Sequence, residues 1–457
     1  MAGIGFELQK AVRRESYLGK IRGYLYAAVI SSGPWLLSVV ALSLLGAVSA
    51  TFLSREEVAL FAATITHTFA VSLITTGLIQ MVVTRYLADE LYLNRIGSVG
   101  PTFVAVLALS CGVQFVVINA LLALTDLPLG YRLPAAALYV AVSGIWVAMV
   151  FLSAARDYLS IVAAFGAGYL ISFLAATLLG SRYGLAAYLM GFAGGQMIAL
   201  GLLAARVLAE FEPERPLSLG FAGYFRRYPS LVAIGLTYNM GLWADKFVFW
   251  LSPAGADVGS FLDVFQPYDT SFFVASLVII PSLALFTVSI ETDFYTHYRS
   301  FYDAIQSRLG LEDLLDAKRG MIRSLRGSYL SLLKVQGATA LLAVTVLTPL
   351  TRFLDLPPGY WPLFRVMVVG MSAQVFLLFT VLILLYLDLR GSALAACSLF
   401  LVANVVLTAL TVPAGPRLYG YGFLAASVLG ALFSLALLRE RFGKLEYLTF
   451  SRQPMSS

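Results

Sequence analysis

The amino-acid sequence predicts an all-α membrane protein of about twelve transmembrane helices in two six-helix lobes, and three observations predict it. Apolar runs long enough to span a bilayer recur roughly every 30 to 45 residues. Charged residues make up 12% of the 457 positions, against about 25% in soluble domains. The mean hydropathy is +0.85, and no polar insert is long enough for a separate soluble domain.

A helix needs about 20 mostly apolar residues to cross ~30 Å of hydrocarbon. On that rule the spans are 24–52, 58–84, 101–125, 133–155, 159–181, 185–207, 229–251, 270–290, 328–351, 362–387, 392–412 and 421–439. Strands are excluded as a main element, because these uniformly apolar runs lack the alternation of a transmembrane barrel. Only helices or closed barrels satisfy every backbone group in lipid.

Lysine and arginine set the orientation. With an inside N-terminus, the cytoplasmic connections and ends hold 23 of the 31 basic residues and the outer loops five: Arg55, Arg132, Arg182, Arg352 and Arg417. The positive-inside rule then places both termini in the cytoplasm. The formal charge of +6 is thus a topology signal, and no basic patch suggests nucleic-acid binding. The segment before the first span is too polar for a signal-peptide core, so that span is expected to remain in the mature protein.

The expected organisation is a cytoplasmic amphipathic N-terminus (1–23), an N-terminal lobe (24–207), a charged, proline-containing linker (208–228), a C-terminal lobe (229–439) and a tail (440–457). A weak internal echo, FAVSLITTG from Phe69 against FVASLVIIP from Phe273, favours parallel halves, which place a substrate path between lobes. The connection 291–327 alternates apolar and charged residues at helical spacing. Phe301, Ile305 and Leu309, joined by Leu315 if the helix continues past Gly310, would form a face that lies on membrane lipid or docks a cytoplasmic partner.

Chemistry of other kinds is missing. Cys111 and Cys397 lie inside apolar runs, so neither a disulfide nor a zinc site is expected. No phosphate-binding loop, HExxH, GxSxG or paired carboxylates on a soluble face appear, so neither catalytic residues, metal nor cofactor are predicted. His67, in span 2, reads as a packed, hydrogen-bonded side chain.

The polar residues inside spans carry the functional reading. In TYNMGLWADKFVFW of span 7, Asp245 and Lys246 stand at membrane depth, where a charge costs roughly 2.5–3.5 kcal/mol. Asn239, Trp243, Lys246 and Trp250 share one helical stripe, and Tyr238 and Asp245 share the next, so span 7 presents a broad amphipathic face. Either that face lines a substrate path, or the two charges lock the helix in place. Adjacent residues do not face each other on a helix, so each charge is expected to find its partner elsewhere. Trp146 and Trp243 are too deep for an interfacial belt, and Pro34 in ISSGPW is expected to break span 1 beside Trp35. Aromatic faces beside carboxylates and amides suit sugar rings, which offer C–H faces and hydroxyls. Arg365, Asp263 and Asp269 could guard the external mouth, unless Arg365 snorkels outward.

The strings MAGIGFELQK, SYLGK, ISSGPW, THTF with TRYLADELY, and TYNMGLWADKFVFW resemble the PelG-type membrane subunit family of Pel exopolysaccharide transporters through most of the chain. The resemblance implies a multi-pass protein of the bacterial inner membrane with a flippase/MATE-like fold. It would pass the Pel polysaccharide, rich in N-acetylgalactosamine, from cytoplasm to periplasm. The resemblance also implies a soluble cytoplasmic glycosyltransferase, a cyclic di-GMP-sensing membrane subunit and a further membrane subunit as partners. It transfers no established functional residues. Two rivals stay open: an ion-coupled flippase or antiporter for a lipid-linked sugar or small amphipathic molecule, with Asp245 as the candidate ion site, and a non-transporting scaffold of the synthase.

Overall fold

The computed structural model describes residues 17–212, 217–256, 258, 262–347 and 360–451. The expectations for residues 1–16 and 452–457 and for Arg352 lie outside them. The described chain is helical, without a named strand. Its helices are α1 (Tyr17–Ser49), α2 (Arg55–Tyr92), α3 (Val99–Leu122), α4 (Leu129–Ala155), α5 (Tyr158–Tyr183), α6 (Leu185–Glu210), α7 (Ala222–Arg227) and α8 (Pro229–Trp250). There follow α9 (Gln266–Ser276), α10 (Ile280–Ser289), α11 (Tyr295–Gln306), α12 (Leu311–Leu342), α13 (Tyr360–Tyr386), α14 (Arg390–Thr411), α15 (Tyr421–Gly443) and α16 (Leu445–Phe450).

Among the described residues, eleven helical segments are long and apolar enough to cross a membrane, and each overlaps an expected span. The remaining expected span is α8, a helix of 22 residues whose apolarity is lowered by Asn239, Asp245 and Lys246. Local chemistry sets several helix starts. Ser54 and Glu57 exchange backbone and side-chain bonds in a capping box at the start of α2, and Pro229 opens α8, where a missing N–H costs nothing. Span 1 corrects its expectation: α1 continues through Pro34, and the Ser38 hydroxyl donates to the Pro34 carbonyl at 2.8 Å.

By contacts the chain forms two units. The first runs from Ser32 to Asp269; the second is the chain from Thr270 onward with the part before Ser32. The boundaries differ from the division expected at 208–228. The linker and α8 group with the N-terminal helices because they bond to them: Ser218 N donates to Pro101 O at 3.3 Å, and the Tyr224 hydroxyl donates to Asp89 at 3.1 Å.

In the first unit α4 is the most enclosed span, with Tyr139 and Phe151 fully buried. Helices α5 and α6 approach closely enough that a Cβ on Gly195 would stand 2.4 Å from Ser172 N, the small-residue packing typical of membrane helices. Buried amides are satisfied: Gln114 accepts from Tyr139 at 2.7 Å, and Gln196 donates to Ser172 at 3.2 Å. In the second unit Gln336 bridges Ser282 (2.6 Å) and Ser372 (2.9 Å), tying α12 to α10 and α13.

The region 291–327 is a helical hairpin. A π-helical turn, Ile290–Phe294, leads into α11, and α12 runs without a break from charged sequence into the ninth span. The single face expected from Phe301, Ile305, Leu309 and Leu315 does not form. Phe301 is fully buried in the hairpin, Ile305 is half-buried, α11 ends at Gln306, and Leu309 lies in the turn beyond it. Leu309, in the turn, and Leu315, in the first turns of α12, are both exposed. The fourfold spacing was right within α11, but Arg308 adopts a left-handed φ of 52° that redirects the chain before Leu309.

Candidate functional site

Helix α8 is held in the first unit by its crossing with α2. A Cβ on Gly235 would lie 2.0 Å from Gly77 O, so only glycine lets the two backbones meet. One turn on, the Asn239 amide donates to Leu73 O at 3.2 Å. Asn239 therefore joins two helices, and its position fixes the rotation of everything that follows on α8.

Two turns further, Asp245 is fully buried and Lys246 nearly so. Contrary to the expectation of separate partners, the two bond to each other, with Lys246 Nζ 3.2 Å from Asp245 Oδ1. The four-carbon stem of lysine lets the ammonium curl back along the helix, where it also donates to Leu242 O at 3.0 Å. It lies 5.3 Å from the Trp243 ring centroid, within cation–π range. Asp245 does have a distant partner as well: the buried Tyr268 hydroxyl donates to Oδ2 at 2.7 Å.

The next carboxylate completes the network. Asp269 Oδ2 accepts from Trp250 Nε1 at 2.9 Å and from Phe265 N at 3.2 Å. Its Oδ1 is buried without a hydrogen-bond partner among the described residues. Trp250 in turn stacks on His67 at 4.3 Å, while His67 Nδ1 lies 2.9 Å from Ala63 O, which agrees with a packed histidine. The site thus joins α2, α8 and the start of α9 through two carboxylates, one ammonium, two indoles and a phenol. With both carboxylates ionised its formal charge is −1. An open acceptor beside indole faces can take a sugar hydroxyl, an ammonium or a small cation.

The other sequence candidates are dispersed. Trp146 is half-buried and donates to Ser72 at 3.1 Å, joining α4 to α2. Tyr238 is half-buried two turns before Asp245, and Trp243 is half-buried, 6.3 Å from Trp250. Trp35 is half-buried on α1. Sequence reasoning passes over Tyr268 and offers Asp269 only as a guard of the external mouth, without linking it to Trp250. The string QPYDTSFF held a usable signal: a tyrosine and an aspartate in the opening turn of an apolar run.

Solved structures of similar shape agree on the fold. A MOP superfamily transporter from Pyrococcus furiosus Vc1 (DSM3638), whose binding pocket has reversed polarity, is 11% identical with a TM-score of 0.65, covering 93% of this chain and 96% of its own. A mutant form of the Vibrio cholerae MATE transporter VcmN is 13% identical, TM-score 0.64, covering 96% and 98%. A MATE multidrug transporter in the outward-facing conformation is 12% identical, TM-score 0.64, covering 92% and 96%. No curated protein matches the chain. A family model described as "PelG: Putative exopolysaccharide Exporter (EPS-E)" matches residues 1–450. With that match over nearly its whole length and a MATE-like transporter fold, the chain belongs to the PelG family of exopolysaccharide exporters.

Proposed function

We propose that this membrane transporter passes the Pel polysaccharide, a polymer rich in N-acetylgalactosamine, from the cytoplasm to the periplasm across a bacterial inner membrane. A cytoplasmic glycosyltransferase delivers the polymer, and a cyclic di-GMP-sensing membrane subunit and a further membrane subunit complete the assembly. Both termini face the cytoplasm, the side that holds most of the basic residues. The observation that carries the reading is the buried network on α8 and α9, where carboxylates stand beside indole faces in a chain of exporter family. Trp243 supplies a stacking surface; Asp245 and Lys246 exchange the bond between them for bonds to passing hydroxyls and amides, and Asp269 offers its open Oδ1 as a further acceptor.

The open Oδ1 of Asp269 favours a second reading, in which a cation occupies the network and couples to transport. Reconstituted vesicles containing the complete synthase separate the two. Under the first reading, Trp243→Ala and the charge-free double variant Asp245→Asn/Lys246→Met each abolish polymer delivery at normal protein level and assembly, whatever the ion gradient. Normal delivery by both variants would sink it, and delivery that collapses with a Na⁺ or H⁺ gradient would establish the second.

A further inference from the structure

Away from that network, the second unit holds a cleft of about 380 Å³ between the π-helical turn after α10 and the charged half of α12. Ser289, Asp293 and His297 line one wall, and Arg323, Ser324, Ser328 and Ser331 the other, with Gly320 and Gly327 between them. Among the described residues, no apolar side chain lines it. Its position is set by the hydropathy of its walls. Ser289 is the last residue of the eighth span, and α12 turns from charged to apolar just past Gly327. Both helices therefore leave the hydrocarbon at the cleft, at headgroup depth.

Two features mark it as built to hold something. Ser324 Oγ is buried with no hydrogen-bond partner among the described residues. A Cβ on Gly327 would meet nothing within 4 Å, so the cleft is open there, while at Gly320 a Cβ would stand 3.0 Å from His297 Nδ1 and crowd the imidazole. The walls offer a guanidinium, a carboxylate, an imidazole and four hydroxyls. Without an aromatic or aliphatic wall the cleft does not suit a stacked sugar, and Asp293 opposes a ligand that is purely anionic. We propose that it binds a phosphate joined to a primary ammonium. Arg323 and the serines hold the phosphate oxygens, and Asp293 holds the ammonium. At this depth the source is the headgroup of phosphatidylethanolamine, which would pin the hairpin of α11 and α12 to the membrane surface.

The test uses the full chain in nanodiscs of mixed phosphatidylcholine, phosphatidylglycerol and phosphatidylethanolamine, released for native mass spectrometry. Retained phosphatidylethanolamine is expected in excess over phosphatidylcholine, whose quaternary nitrogen has no N–H to give Asp293. Arg323→Gln should lower the excess about tenfold, the loss expected for one charge-assisted bond. Asp293→Asn should shift retention toward phosphatidylglycerol. Gly327→Phe, which fills the open cleft and leaves every charge in place, should also abolish the excess; unchanged melting temperatures exclude misfolding as the cause. Saturable binding of free phosphoethanolamine to lipid-depleted protein, with no phosphatidylethanolamine retained from the nanodiscs, would assign a soluble source and overturn the lipid reading. No excess in wild type, or an excess indifferent to Gly327→Phe and Arg323→Gln, overturns the proposal.

Discussion

Replacing Lys246 by methionine removes one partner of an ion pair whose members are respectively almost and completely buried. The carboxylate of Asp245 keeps the Tyr268 bond but loses its countercharge. Breaking a buried pair on one side costs about 3–5 kcal/mol, because the desolvated charge is left uncompensated. Asp245→Asn should cost a similar amount by removing the countercharge of the ammonium, which keeps its bond to the Leu242 carbonyl. The double variant Asp245→Asn/Lys246→Met carries no charge and keeps volume, so it should recover most of the loss. With single losses of about 3–5 kcal/mol each and about 1 kcal/mol left in the double variant, the double-mutant cycle should give a coupling energy of about 5 kcal/mol or more. Equilibrium denaturation in detergent measures the stability, and polymer export is measured on the same four proteins. If the pair works on substrate, the double variant regains stability and still fails to export. Restored export in the double variant would refute the substrate role and leave Asp245 and Lys246 as a structural lock.

Three further outcomes follow from the geometry. Gly235→Ala should destabilise by about 3 kcal/mol or more, since its Cβ would meet the Gly77 carbonyl at 2.0 Å and force α2 and α8 apart; a neutral effect in thermal unfolding would contradict that close crossing. In the hairpin, Phe301→Ala should cost about 3–5 kcal/mol as a cavity, whereas Leu309→Ser with Leu315→Ser should leave stability intact and release the glycosyltransferase from membranes; retained membrane association would exclude these two exposed leucines as its contact. Asp157 caps α5 and pairs with Arg206; burial pushes its carboxyl up, but the bonds from Arg206 and Ser160 more than offset this and hold it below its ordinary value. A lowered value stabilises the fold above about pH 4 and loses that contribution as the pH falls through it. Asp157→Ala should therefore cost about 1 kcal/mol at pH 7 and progressively less below pH 4, and an equal cost at both would exclude the charge as its source.

The helices were legible because their cause is local. An apolar run of about 20 residues must satisfy its backbone within itself when it enters lipid, so span, length and order follow from composition alone. The charged pair in span 7 was equally visible, since two charges in an apolar run stand out whatever surrounds them. What they touch was decided elsewhere. Tyr268 and Asp269 enter the site from another helix, 23 and 24 positions beyond Asp245, and nothing in the spacing of α8 points to them. The self-pairing of Asp245 and Lys246 went against backbone geometry because a long, flexible stem outweighs the divergence of neighbouring Cα–Cβ bonds once no water is available. The placing of α8 with the N-terminal helices rests on two glycines and one asparagine meeting across α2, a contact between residues more than 150 positions apart. Sequence by itself determined that this is a many-helix membrane protein with charge at depth. Tertiary structure alone decided the partners of that charge, because partner choice inside a membrane depends on which backbones can approach closely enough to touch.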